Sequence, residues 1–392
     1  MRKRPRTTAR WFLAALGALV CAGALSFSAW SGTPNWRNAD SLFYQAMSLE
    51  VDGVSAQAAR ARVFDSALAR PAIAQEPSVA DPRWQAFESQ FSRRRWLVPA
   101  LTAAVRPIAG ARALPDVAIV GYLLLGVALR LLLASRFAIA SSLAAVALCL
   151  ALGPVRDWGL RPMTDSWGLA LSVGAMLGVL VVLARGWKWL PLWITVMLAL
   201  SFTRDLALIP LAGLAWLMYR DRDPTRRRPA LILALTGILA TIPAYLLFGA
   251  SLRLTLAFQM DGYEVPSPAH STWAYVAAHY PSLAYGTVKA DGHYAINHPM
   301  VGLAVGAGLL ALFILPAHRD TLIPNRDALI LLMRGVALGC LVVFALDPDY
   351  SGFRYELTIL PAAAAGLCLL VEHVAGRIAG VGGELESTRR AT

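Results

Sequence analysis

Apolar residues along this chain gather into long runs separated by short polar or charged connections, and the lengths of those runs set the first expectation. A helix needs about 20 apolar residues to cross the hydrocarbon core of a bilayer, because its backbone polar groups find no partners in lipid outside their own segment. Runs at or near this length lie at 11–30, 116–134, 138–153, 166–184, 189–202, 205–219, 229–249, 298–316, 328–346 and 356–376. They predict an all-α, polytopic transmembrane protein with about ten crossings. The pair 189–202 and 205–219 is short and joined by Thr203-Arg204-Asp205, which reads as two short helices meeting at a cavity. Trp11 to Trp30 follows a basic start, MRKRPRTTAR. It is too long for the apolar core of a secretory signal and long enough for a span.

Orientation follows from the short loops, since Lys and Arg accumulate on the cytoplasmic side. Arg2, Lys3, Arg4, Arg6 and Arg10 open the chain, Arg220, Arg222, Arg226, Arg227 and Arg228 crowd one loop, and Arg377, Arg389 and Arg390 sit in the tail. With ten crossings these fall on one side, together with Arg136, Arg185, Lys188, Arg319 and Arg326. Both termini are therefore expected in the cytoplasm, with a single transmembrane domain over 1–392. The outer connections are 31–115, 153–165, 251–297 and 347–355. The first is long enough to carry helices of its own. Trp84, Phe87 and Phe91 recur there at helical spacing behind Asp81-Pro82, a cap followed by a proline at the first helical position. Trp96–Ile108 is an apolar run broken by Pro99 and Pro107, a length suited to an interfacial or re-entrant segment. Residues 31–115 are thus expected as membrane-surface helices packed over the outer ends of the spans.

Composition agrees with lipid as the main solvent: 57% of the 392 residues are hydrophobic, 15% are charged and mean hydropathy is +0.54. The formal net charge of +12 would fit a nucleic-acid binder only if the basic residues formed a soluble face. They sit instead at the ends of apolar spans, as contact with anionic lipid requires, so no nucleic-acid partner is expected and membrane lipid is. Cys21, Cys149, Cys340 and Cys368 lie inside apolar runs without metal or disulfide spacing and read as small buried hydrophobes.

The residues able to carry chemistry share an address on the outer side. Asp40 stands ten residues beyond the first span, with Tyr44 one helical turn later. It is a candidate base; equally, it can cap the helix that starts at Ser41. Arg93-Arg94-Arg95 can hold a phosphate, because guanidinium pairs bidentately with its oxygens, or can snorkel to lipid headgroups. Arg156, Asp157, Arg161 and Asp165 precede an apolar helix that Asp165 and Ser166 can cap. Arg204-Asp205 lies near membrane depth, where charge is costly and usually faces a cavity. Residues 251–297 hold Asp261, Tyr263, Glu264, His270, His279, Asp291 and His293 among Trp273, Tyr275, Tyr280 and Tyr285, with His298 just beyond; the histidines have no metal-ligand spacing, so no metal site is expected. Asp347, Asp349, Arg354 and Tyr355 stand at the mouth of the last span.

With NADSLFY (Asp40), RRRWLVPAL (Arg95, Pro99), RPMTDSWGLAL (Asp165), SFTRDLALIP (Arg204, Asp205) and FRYELTILP (Arg354, Tyr355), the chain resembles the GT-C superfamily of integral-membrane glycosyltransferases from end to end. The likeness implies a sugar taken from a polyprenyl-phosphate donor at the extracytoplasmic face of the plasma membrane. It implies Asp40 as the residue that deprotonates the acceptor or aligns the donor. Tyr44, Arg95, Asp165, Arg204, Asp205, Arg354 and Tyr355 become candidate substrate-binding residues, with Arg95, Arg204 and Arg354 offsetting charge on the departing phosphate. No cofactor is expected. The pattern departs from the family in that Asp40 is followed by Ser41 rather than a second acid, and the tail is short. A lipid-linked-sugar flippase or transporter and a non-catalytic relative on the same scaffold remain the alternatives.

Overall fold

The computed structural model describes residues 6–32, 35–221, 223–248, 251–315, 326–346, 348, 354 and 356–391. Every regular element among them is a helix. The chain begins with α1 (Arg6–Ser31), then a set of shorter helices: α2 (Ala39–Val51), α3 (Ala56–Phe64), α4 (Arg70–Gln75) and α5 (Pro82–Ser92). The bundle continues with α6 (Leu97–Ala109), α7 (Ala113–Ala134), α8 (Ile139–Ala151), α9 (Gly153–Gly159), α10 (Asp165–Arg185), α11 (Leu190–Ser201), α12 (Leu208–Arg220) and α13 (Pro224–Phe248). It closes with α14 (Leu252–Met260), α15 (Trp273–Asn297), α16 (Pro299–Ile314), α17 (Arg326–Leu346) and α18 (Leu360–Ala391).

Six stretches of described residues are long and apolar enough to cross a membrane, and eight if each bent helix pair counts as one crossing. The two pairs are α8 with α9, bent by 67°, and α15 with α16, bent by 108°. The difference from ten expected crossings lies in α11 and α12, of 12 and 13 residues. At a rise of about 1.5 Å per residue such helices cover roughly 18–20 Å, short of the ~30 Å hydrocarbon core. One loop expectation also changes. Most of 251–297 is helical, in α14 and α15. The Pro99/Pro107 segment forms α6, which packs on α2 and folds against α7 across one 3₁₀ turn that Gly110 opens at φ +58°.

The bundle core is built around α10, whose Val173, Met176 and Val179 are fully buried. Small residues bring neighbouring helices together where lipid supplies no hydrophobic drive. On α16 and α18, a Cβ added at Gly366 would lie 1.7 Å from the Gly308 carbonyl oxygen, so only glycine permits that approach.

A second core ties α2–α5 to the bundle. Leu42, Phe43, Phe64 and Trp84 from these helices share it with Leu114 and Val117 of α7, Met163 before α10, and Phe258 of α14. The Trp84 indole N–H donates to the Tyr263 carbonyl at 2.8 Å. The described residues of 31–115 thus pack as helices against the start of α7, the turn before α10 and α14. As its sequence indicated, α5 starts with Asp81 as cap, accepting from the Arg83 N–H at 2.8 Å, and Pro82 at the first position.

Candidate functional site

Local structure at the start of α2 frees a carboxylate. Asn38, not Asp40, is the N-cap: its side-chain oxygen accepts the Asp40 N–H at 2.8 Å. Asp40 thus lies in the first turn with its carboxylate turned to Arg354, whose Nη2 donates to it at 2.7 Å. One turn along, Tyr44 is fully buried, and its hydroxyl accepts from Arg95 Nη1 at 2.6 Å and from the Thr164 hydroxyl at 3.4 Å.

Asp165 opens α10 but does not cap it. Its carboxylate takes two hydrogen bonds from Arg354, at 2.9 and 3.1 Å, and an ion pair with Arg204 at 3.2 Å. Ser166, the other expected cap, donates to the Ala118 carbonyl instead, at 2.9 Å. Arg204 reaches Asp165 from the six-residue break between α11 and α12, and Gly168 makes room for it. A Cβ at Gly168 would lie 2.6 Å from Arg204 Cγ and 3.1 Å from Arg204 Cβ, atoms too near the backbone to swing aside.

The network forms one wall of a cavity of about 290 Å³. Asp40, Arg95 and Arg354 face it, with Arg37, Glu76 and Glu88. Trp84, Phe91, Trp158, Phe258 and Tyr263 give it an aromatic lining. Trp158 holds two cations, Arg161 at 4.0 Å and Arg354 at 4.9 Å from its ring centre. Cation–π contact of this kind steadies a guanidinium without neutralising it.

No protein-family model, curated protein or solved structure matches the chain. The site's own chemistry is what bears on function. Within the network three buried guanidiniums, Arg95, Arg204 and Arg354, stand against two carboxylates, Asp40 and Asp165, while Glu76 and Glu88 face the same cavity with Arg37. Burial alone would push the Asp40 carboxyl up, but Arg354, Arg95 and Arg204 outweigh it and hold the group below the usual carboxylate range. Asp40 is therefore ionised throughout the physiological range and is a weak proton acceptor. Burial pushes the Tyr44 phenol up, so it stays a neutral hydrogen-bonding group.

Six of the eight residues singled out from sequence meet here: Asp40, Tyr44, Arg95, Asp165, Arg204 and Arg354. Asp205 does not. The chain turns between α11 and α12, so Arg204 and Asp205 face opposite ways, and Asp205 pairs with Arg94 beside Tyr245. Tyr355, with Asp347 and Asp349, lies outside the described residues. The histidines of 251–297 stay apart from the cavity; His270 contacts Asp261 at 3.0 Å and stacks on Tyr275. Among the described residues no group of three or more His, Cys, Asp or Glu side chains is placed to hold a metal ion.

Sequence reasoning missed Trp158 and Glu88. The signal for Glu88 was present: at four residues past Trp84 and three before Phe91, it interrupts the apolar stripe of α5 with a carboxylate. Nothing in the sequence marked Trp158 beyond its neighbours Asp157 and Arg161.

Proposed function

We propose that this protein is a membrane glycosyltransferase that moves a sugar from a polyprenyl-phosphate donor to an acceptor at the extracytoplasmic face of the plasma membrane, with both termini in the cytoplasm. The observation that carries the reading is an ionised carboxylate, Asp40, held by the buried Arg354 on the wall of an aromatic-lined cavity that Arg95 and Arg37 also face. A sugar phosphate needs each of these parts. Aromatic faces such as Trp84 and Trp158 stack on a pyranose or furanose ring, and guanidiniums offset the charge that builds on phosphate as the glycosidic bond breaks. Arg95 and Arg354 line the cavity and take that role, with Arg37 beside them. Arg204 stands behind the wall and acts through Asp165, which holds Arg354 in place. Asp40 suits the aligning role: fixed by Arg354 and ionised, it accepts a hydrogen bond from a substrate hydroxyl. The likeness to GT-C enzymes supplies the lipid-linked donor; the geometry supports it by placing the cavity where the bundle helices end.

The test is donor binding followed by donor consumption. Purified protein is offered a panel of polyprenyl-phosphate hexoses and pentoses, and free polyprenyl phosphate is measured. Release by the wild-type protein, lost in Arg354→Gln, is the expected result. Binding of no lipid-linked sugar in the panel would overturn the reading.

A further inference from the structure

Besides Asp40 and Glu76, the cavity holds a carboxyl that the Arg–Asp network leaves unused. Glu88 lines the cavity from α5, and its Oε2 is shut off from solvent with no hydrogen-bond partner among the described residues. A buried oxygen left unpaired costs free energy unless it serves a ligand or carries a proton. The charged groups around it come from every side: Asp40 of α2, Glu76 after α4, Arg95 before α6 and Arg354 before α18. Phe258 and Tyr263 close the apolar side. Burial pushes the Glu88 carboxyl well above the ordinary range; Asp40 and Glu76 add to that, and Arg95 and Arg354 draw it partly back. Asp40 and Glu88 are thereby driven apart in one cavity, the first held ionised by Arg354 and the second raised toward neutral pH, the arrangement that separates acid–base roles.

We infer that Glu88 is the general base of the transfer and that Asp40 is a positioning residue; the assignment rests on the transferase reading above. An effective base titrates near the working pH, whereas Asp40 is held far below it by an arginine at 2.7 Å. In the step, an acceptor hydroxyl gives its proton to the Glu88 carboxylate. The oxygen's electron pair forms the new bond to the anomeric carbon. The carbon–oxygen bond to the donor phosphate breaks with its electrons going to that oxygen, and polyprenyl phosphate leaves between Arg95 and Arg354. Glu88 then loses the proton to water entering the emptied cavity.

Two arms test this and fail separately. Full-length protein in lipid nanodiscs is treated at a series of pH values with dicyclohexylcarbodiimide, which adds to protonated carboxyls in apolar surroundings, and the adduct is mapped by mass spectrometry. The expected result is label on Glu88, none on Asp40, and fading of the label as pH rises. Turnover is then followed against pH with the donor the protein consumes. Wild type and Asp40→Asn should lose rate as pH falls through the titration of Glu88. Glu88→Gln should fall on the order of 100-fold and lose that limb, and Glu88→Asp should keep it. Absence of label on Glu88, or an intact limb in Glu88→Gln, overturns the assignment. Wild type that labels at Glu88 but consumes no lipid-linked sugar overturns the transferase reading, and the base role with it.

Discussion

The most direct structural consequence of the buried network concerns Asp165→Asn. The substitution keeps size and hydrogen-bonding capacity but removes one negative charge from between two guanidiniums. The Asp165 side chain is 4% exposed, that of Arg204 3% and that of Arg354 8%, so solvent cannot replace the lost partner. Removing one member of a buried ion pair costs about 3–5 kcal/mol, because the remaining charge keeps its desolvation penalty. At roughly 1.4 kcal/mol per tenfold, that is a drop of two to three and a half powers of ten in the folding equilibrium. Asp40→Asn should cost less, about 1–2 kcal/mol, since Asp40 is 14% exposed and Arg354 retains Asp165 when Asp40 is neutralised. Unfolding in mixed micelles, followed by the fluorescence of the 12 tryptophans, measures both. In Arg354→Gln/Asp165→Asn the two losses should not add, with a coupling of about 0.5–3 kcal/mol. An Asp165→Asn protein that unfolds at the wild-type midpoint, or a strictly additive pair, would refute the claim that these residues form one network.

Gly168→Ala should push Arg204 off Asp165 and destabilise the protein by about 1–3 kcal/mol, as overpacking does; a neutral result in the same unfolding assay would show that Arg204 can move without loss. Trp158→Leu should loosen Arg354 and Arg161 and weaken binding of a polyprenyl-phosphate sugar by about 1–2 kcal/mol, read by equilibrium binding. The raised Glu88 carboxyl means that the folded state holds a proton the unfolded chain has released, so Glu88 stabilises at low pH and the contribution is lost as pH rises through its folded pKa. Stability of Glu88→Gln should accordingly vary less with pH over that window than wild type, checked by unfolding at a series of pH values.

Much of the architecture was legible because lipid imposes a simple length rule. Each long apolar run became a helix, and the cap at Asp81-Pro82 formed as its residues dictate. Crossing number was less legible: length decides whether α11 and α12 count, and their junction is where Arg204 enters the network. The site was legible residue by residue but not as an arrangement. Asp40, Asp165 and Arg354 are 125 to 314 positions apart, and only packing of helix ends makes Arg354 bridge the two acids. Local rules misplaced two details. Asp40 looked like a cap because a polar residue precedes an apolar turn, yet Asn38 two residues earlier satisfies the backbone first. Arg204 and Asp205 looked like one pair because they are adjacent, yet an irregular turn sends them to different partners. Glu88 escaped notice because a stripe of aromatics draws attention to what is apolar.

The central claim is that the cavity breaks the bond between a sugar and a lipid phosphate. Protein reconstituted into liposomes with a polyprenyl-phosphate sugar labelled in the sugar ring tests it most directly. The account predicts that label leaves the lipid and appears on an added acceptor, while free polyprenyl phosphate accumulates in equal amount and Arg354→Gln does neither. Label that crosses the bilayer while still attached to intact donor would contradict it and identify a flippase instead.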